Sequence, residues 1–131
     1  MAYDVNNYGP DIAAVLKDTS RGTATLREKI RLANVNEAAR AGLFLHTGFW
    51  NEAHEVAQEL HTPDGSYWHA FIHREEPDEF NAGYWFQKAG RHPVMLQMGP
   101  NWDRNAFVRA TPAQRQREWE LLFDYSMRAG I

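Results

Sequence analysis

The run GSYWHAFIHREEPDEFNAGYWFQKAGRHP, residues 65–93, decides the fold. Its apolar side chains recur at three- and four-residue steps on both sides of one break, the period of helices rather than strands. Before the break, Trp68, Phe71, Ile72 and Glu75 share one side of a helix expected over Tyr67–Glu76, with Ser66 as its N-cap. Pro77 ends that helix and Asp78 caps the next, expected over Glu79–Ala89; Gly90 then stands where a left-handed C-cap belongs.

Upstream, Thr62-Pro63-Asp64-Gly65 has the composition of a turn, with Pro presetting the backbone at the second position and Gly releasing the chain at the last. Before it, Phe49–Leu60 carries Phe49, Trp50, Ala53, Val56, Ala57 and Leu60 on one face. Glu37–His46, capped by Asn34 or Asn36, is apolar over most of its circumference, the pattern of a buried helix. Thr23–Leu32 has a helical period through Leu26 and Ile30, with Thr25 and Glu28 spaced as a capping box. Pro10 opens a short helix to Lys17.

Downstream, two Pro and a Gly around Val94-Met95-Leu96 predict an extended connection over Arg91–Pro100. Asn101 is placed to cap a short helix from Trp102 to Arg109. Thr111-Pro112, with Gln114 three residues after the Thr, starts a long last helix to about Arg128 that buries Trp119, Leu122, Phe123 and Ser126. No segment of any length alternates with period two. The expectation is an all-α fold: one compact helical domain over residues 1–131, two helical hairpins over 37–90 as its core, and a long C-terminal helix over 111–128.

An internal echo supports the hairpins. Leu43-Phe44-Leu45-His46 and Ala70-Phe71-Ile72-His73 each end an apolar helix on His, and each is followed by a turn and a small residue, Ala53 or Ala82. The segment DEFNAGYWFQKA, residues 78–89, resembles the second helix of tetratricopeptide-like repeats: Ala82 is the small residue at the helix crossing, Trp85 and Phe86 the aromatic pair, Lys88-Ala89 the end of the unit. The Leu-Gly pair usual in the first helix of such repeats is missing here. This resemblance implies tetratricopeptide-like hairpins and names no ligand. The longer run YWHAFIHREEPDEFNAGYWFQKAGRHP resembles a helical family of bacterial and fungal proteins of unassigned function, and implies no activity.

At 131 residues the chain is one domain by size, long enough to bury about two-thirds of its unfolded surface. A hydrophobic fraction of 44% and an aromatic fraction of 13% exclude disorder. No run reaches the roughly 18 to 20 apolar residues of a membrane span, and MAYDVNNYGP lacks the charged and apolar regions of a signal peptide. The expectation is a soluble, cytoplasmic protein with no membrane partner. The absence of Cys excludes disulfides, thiolate chemistry and zinc sites with sulfur ligands, so any metal must be held by His and carboxylates. Net charge is -6 over residues 1–87 and +3 over 88–131, too weakly basic for a phosphate backbone; nucleic acid is not an expected partner.

Histidines carry the candidate chemistry. His69, His73 and Glu76 form a stripe along one flank of the helix from Tyr67, and residues four apart have Cβ atoms about 5–6 Å from each other. That spacing offers two imidazoles and a carboxylate to one divalent metal. The competing reading is that these His merely flank a buried face, and HxxxH without an intervening Glu is not the metalloprotease motif. His54, Gln58 and His61 form a similar flank on the preceding helix. If the two helices pack as a hairpin, His54, His61, His69 and His73 line one cleft, with His54 and His73 as candidate acid and base. His46 and His73 sit near helix C-termini, where the dipole favours imidazolium.

Tyr67, Trp68, His69, His73, Tyr84 and Trp85 form a candidate ligand-binding set, an aromatic-walled pocket for a small molecule; the same residues at helical spacing also make a core. Two function classes follow. One is a binding module for a small molecule or protein in a His- and aromatic-lined cleft, with an aromatic face for self-association. The other is a small hydrolase or isomerase that uses a bound metal or a His acid-base pair. There is no phosphate-binding Gly loop, nucleophile elbow or EF-hand.

Overall fold

The computed structural model describes residues 3–129, so both ends of the expected 1–131 domain lie outside the described residues. A 3-10 turn, Val5–Tyr8, leads into α1 (Pro10–Lys17), α2 (Ala24–Leu32), α3 (Glu37–His46), α4 (Trp50–Gln58), α5 (Pro63–Glu75), α6 (Glu79–Lys88), α7 (Pro93–Met98), α8 (Arg104–Val108) and α9 (Pro112–Ala129). Among the described residues there is no strand, and no helix is long and apolar enough to cross a membrane.

Except at α1 and α4, the helix starts follow from side chains that accept otherwise unpaired N–H groups. Asn36 accepts from Ala39 N at 2.9 Å and Asp78 from Asn81 N at 3.1 Å. At the start of α9, Thr111 and Gln114 cap each other, Gln114 N donating to Thr111 Oγ1 at 3.1 Å and Thr111 N to Gln114 Oε1 at 2.8 Å.

Four boundaries differ from expectation, for reasons of the same kind. Thr23, not Thr25, caps α2. Thr62, not Ser66, caps α5, so Pro63-Asp64-Gly65 is its first turn rather than a loop. Residues 93–98 form a helix instead of an extended connection, with Val94 N donating to His92 Nδ1 at 3.1 Å. Asp103, not Asn101, starts α8. Pro63 and Pro93 are first-turn prolines, where a missing N–H does no harm and a fixed φ helps.

The hairpins form by packing of α3 along α4 and α5 along α6, with α4 against α5 and α9 laid across α3. Helix α5 is the centre: every residue from Gly65 to Arg74 is buried. Trp68 is wholly buried, its Nε1 donating to Ser126 Oγ on α9 at 3.0 Å, and its ring lies so close to Gly42 that a Cβ there would sit 2.7 Å from it. Trp119 Nε1 donates to the carbonyl of the same Gly42 at 3.1 Å. The backbone of α3 is thus exposed to two indoles where no side chain intervenes.

A polar knot lies inside this core. Glu118 on α9 is fully buried and accepts from Tyr67 OH at 2.5 Å, Arg74 NH1 at 2.8 Å and Trp102 Nε1 at 2.7 Å. Burial pushes its carboxyl upward, and the Arg74 guanidinium and the three donors oppose that shift. Arg40 plays a similar role at the end of α2. Its guanidinium donates to the carbonyls of Ile30, Arg31, Ala33 and Val35, at and just beyond the helix end where carbonyls lack intrahelical partners.

Candidate metal centre

His69 and His73, one helical turn apart on α5, stack with ring centroids 4.8 Å apart and planes inclined by 20°. The packing of α4 on α5 brings in His54, whose Nε2 lies 3.0 Å from His69 Nε2 and whose ring centroid is 5.2 Å from that of His73. One ring nitrogen from each of the three lies within 4.8 Å of the others. Two indoles clamp the cluster. Trp50, four residues before His54 on α4, stacks on it at 5.2 Å with planes 10° apart, and its Nε1 donates to Ile72 O at 2.8 Å. Trp85 from α6 stacks on His69 at 4.0 Å with planes 15° apart.

Burial sets the protonation of these rings. It pushes the His69 imidazole down to about 4, and the neighbouring His54 and His73 push the same way. His54 is lowered for the same first reason, burial, and then by His73. Both rings are therefore neutral at pH 7. Two bare lone pairs at 3.0 Å repel, so in the absence of a metal one Nε2 carries a proton. His69 Nδ1 is buried with no hydrogen-bond partner among the described residues. Placing the shared proton on His69 Nε2 leaves Nδ1 as an unpaired acceptor, which costs less than stranding an N–H there.

Glu76 does not join His54 and His69. Its Oε1 lies 2.8 Å from His73 Nδ1, which orients the His73 ring and leaves Nε2 as its other nitrogen. The expected set His69, His73 and Glu76 is thus divided between two groups that share His73: the inner His54-His69-His73, and an outer His73-Glu76-Asp78 nearer the surface. Asp78 is already engaged as the α6 cap, accepting from Asn81 N and from Asn81 Nδ2 at 2.7 Å.

Other expected site residues go elsewhere. Tyr67 and Trp68 are not pocket walls: both are wholly buried, with their polar atoms bonded to Glu118 and Ser126. Of that aromatic set, Trp85 covers His69 and Tyr84 is exposed beside it. His61 is exposed and is not among the three grouped histidines. At His46 the effect expected of the helix C-terminus is outweighed, because burial against Trp119 lowers the imidazole and favours the neutral ring. Trp50 is the participant that was not foreseen. Its four-residue spacing from His54 was visible, whereas the stacking of the two rings depends on how α4 meets α5.

No family profile, curated protein or solved structure matches the chain, so the functional reading rests on the geometry of this site.

Proposed function

We propose that the protein binds a divalent transition-metal ion through His54, His69 and His73, where α4 and α5 meet under Trp50 and Trp85. The observation that carries this reading is the convergence of three ring nitrogens from two helices within 4.8 Å. Two nitrogens 3.0 Å apart subtend about 90° at an ion about 2.1 Å from each, the angle of neighbouring ligands on one face of an octahedron. Neutral imidazoles suit zinc, copper, nickel or iron rather than the oxygen-seeking magnesium or calcium. Lowered pKa values in two of the rings remove protons as competitors near neutrality. Three protein ligands leave positions for water, the arrangement of hydrolytic rather than structural zinc sites.

One feature limits affinity. Binding through His69 Nε2 moves its proton to Nδ1, which has no acceptor among the described residues and strands a buried donor at about 1–3 kcal/mol. Structural zinc sites gain about 10–16 kcal/mol, so the penalty weakens such a site without abolishing it. Cobalt titration of protein made without a His tag tests the reading. The wild type should develop visible d–d absorption that saturates at a single equivalent, His61→Ala should match it, and His69→Ala should not. A wild type that stays colourless, or a His69→Ala response equal to it, contradicts metal binding here.

A further inference from the structure

A cleft of about 620 Å³ shares only Trp50 with the histidine cluster. It is built where the α3–α4 turn, α5 and the first turn of α9 meet, and its volume lies within the about 300–1,000 Å³ typical of small-molecule sites. The half-buried Trp50 gives it a flat apolar wall, the buried Phe71 and Trp119 lie behind it, and the His46 ring packs on Trp119 at 4.8 Å. From this wall and the charges around it we infer that the cleft binds a small planar organic anion, of the aromatic carboxylate class.

The charges decide the sign. Arg74 lines the cleft, but its guanidinium is buried against Glu118 at 2.8 Å, so that pair is neutral as a unit. Arg21 and Arg115 remain, against Glu75 alone. Arg115 sits 3.7 Å from Glu75, a loose contact, while its Nε donates to Ala110 O at 3.0 Å. The first turn of α9, at Pro112, adds the partial positive charge of a helix N-terminus.

Arg21 is held in place at some expense. It is the described non-glycine residue with positive φ, at 28°, a conformation uncommon for a side chain of its size. Its NH1 donates to His46 O at 3.1 Å, and its guanidinium crosses Gly48, whose φ is +88° and where a Cβ would meet NH2 at 2.9 Å. The hydrogen bond to His46 O and the room that Gly48 leaves thus hold a guanidinium beside the cleft. A guanidinium matches a carboxylate bidentately, and the flat indole of Trp50 matches a ring.

Calorimetry with naphthoate and its neutral isostere naphthamide tests this. The carboxylate should bind the wild type at least about tenfold tighter than the amide, the gain expected of one charged hydrogen-bonded contact. The preference should fall to within about threefold in Arg21→Gln/Arg115→Gln and should grow in Glu75→Gln, which removes the opposing carboxylate and leaves both guanidiniums in place. No binding of naphthoate, equal binding of the two probes, or a preference undiminished in the double variant overturns the assignment.

Discussion

His54 Nε2 lies 3.0 Å from His69 Nε2, so the two rings hold either one proton or one metal ion between them. Nothing in the core requires this. A pair of facing imidazoles under two indoles is the feature that apolar packing alone leaves unexplained.

Acid should destabilise the metal-free protein through His69. Its folded value of about 4 is below its ordinary 6.5, so between these limits the unfolded chain binds more protons. The stabilising contribution is complete above about pH 6.5 and is lost as pH falls toward about 4, on the order of 3 kcal/mol in all. Urea denaturation at pH 7 and pH 5 should show the wild type losing about 1–2 kcal/mol more than His69→Gln, which has no ring to protonate. Parallel losses in the two proteins would mean that His69 is not held neutral by burial.

Arg74→Met should be among the most damaging single changes, because it leaves Glu118 buried without its cation. The expected loss is about 3–5 kcal/mol. Adding Glu118→Gln should recover part of it, since the amide oxygen still accepts from Tyr67 and Trp102 without a buried charge. Chemical denaturation of the three proteins measures both steps, and a double variant as unstable as the single one would refute the explanation.

Gly42→Ala introduces a methyl group 2.7 Å from the Trp68 ring, where Trp119 also reaches the backbone. Overpacking of about 1–3 kcal/mol is expected. A thermal unfolding midpoint unchanged from wild type would show that the α3–α9 contact is looser than described.

Much of the architecture was legible because its signals are local. Pro10, Asn36, Asp78 and the Thr111/Gln114 pair announce helix starts that need no tertiary context, and α1, α3, α6 and α9 lie where those signals put them. Pro63 and Pro93 misled because a proline that breaks one helix and one that begins another look alike until the preceding cap is known. At the site, the one-turn spacing of His69 and His73 was readable on α5 alone. The arrival of His54 depends on how α4 packs, and the diversion of Glu76 to His73 Nδ1 depends on which ring nitrogen faces outward. Glu118 and Arg74 were invisible for the opposite reason: singly they read as surface charges, and only their meeting 44 residues apart in sequence buries them.

Anomalous diffraction at the zinc edge, from crystals grown with zinc, tests the metal centre most directly. The account predicts one strong peak about 2.1 Å from a ring nitrogen of each of His54, His69 and His73. No peak at the cluster, or a peak held by Glu76 and Asp78 without His54, would contradict it.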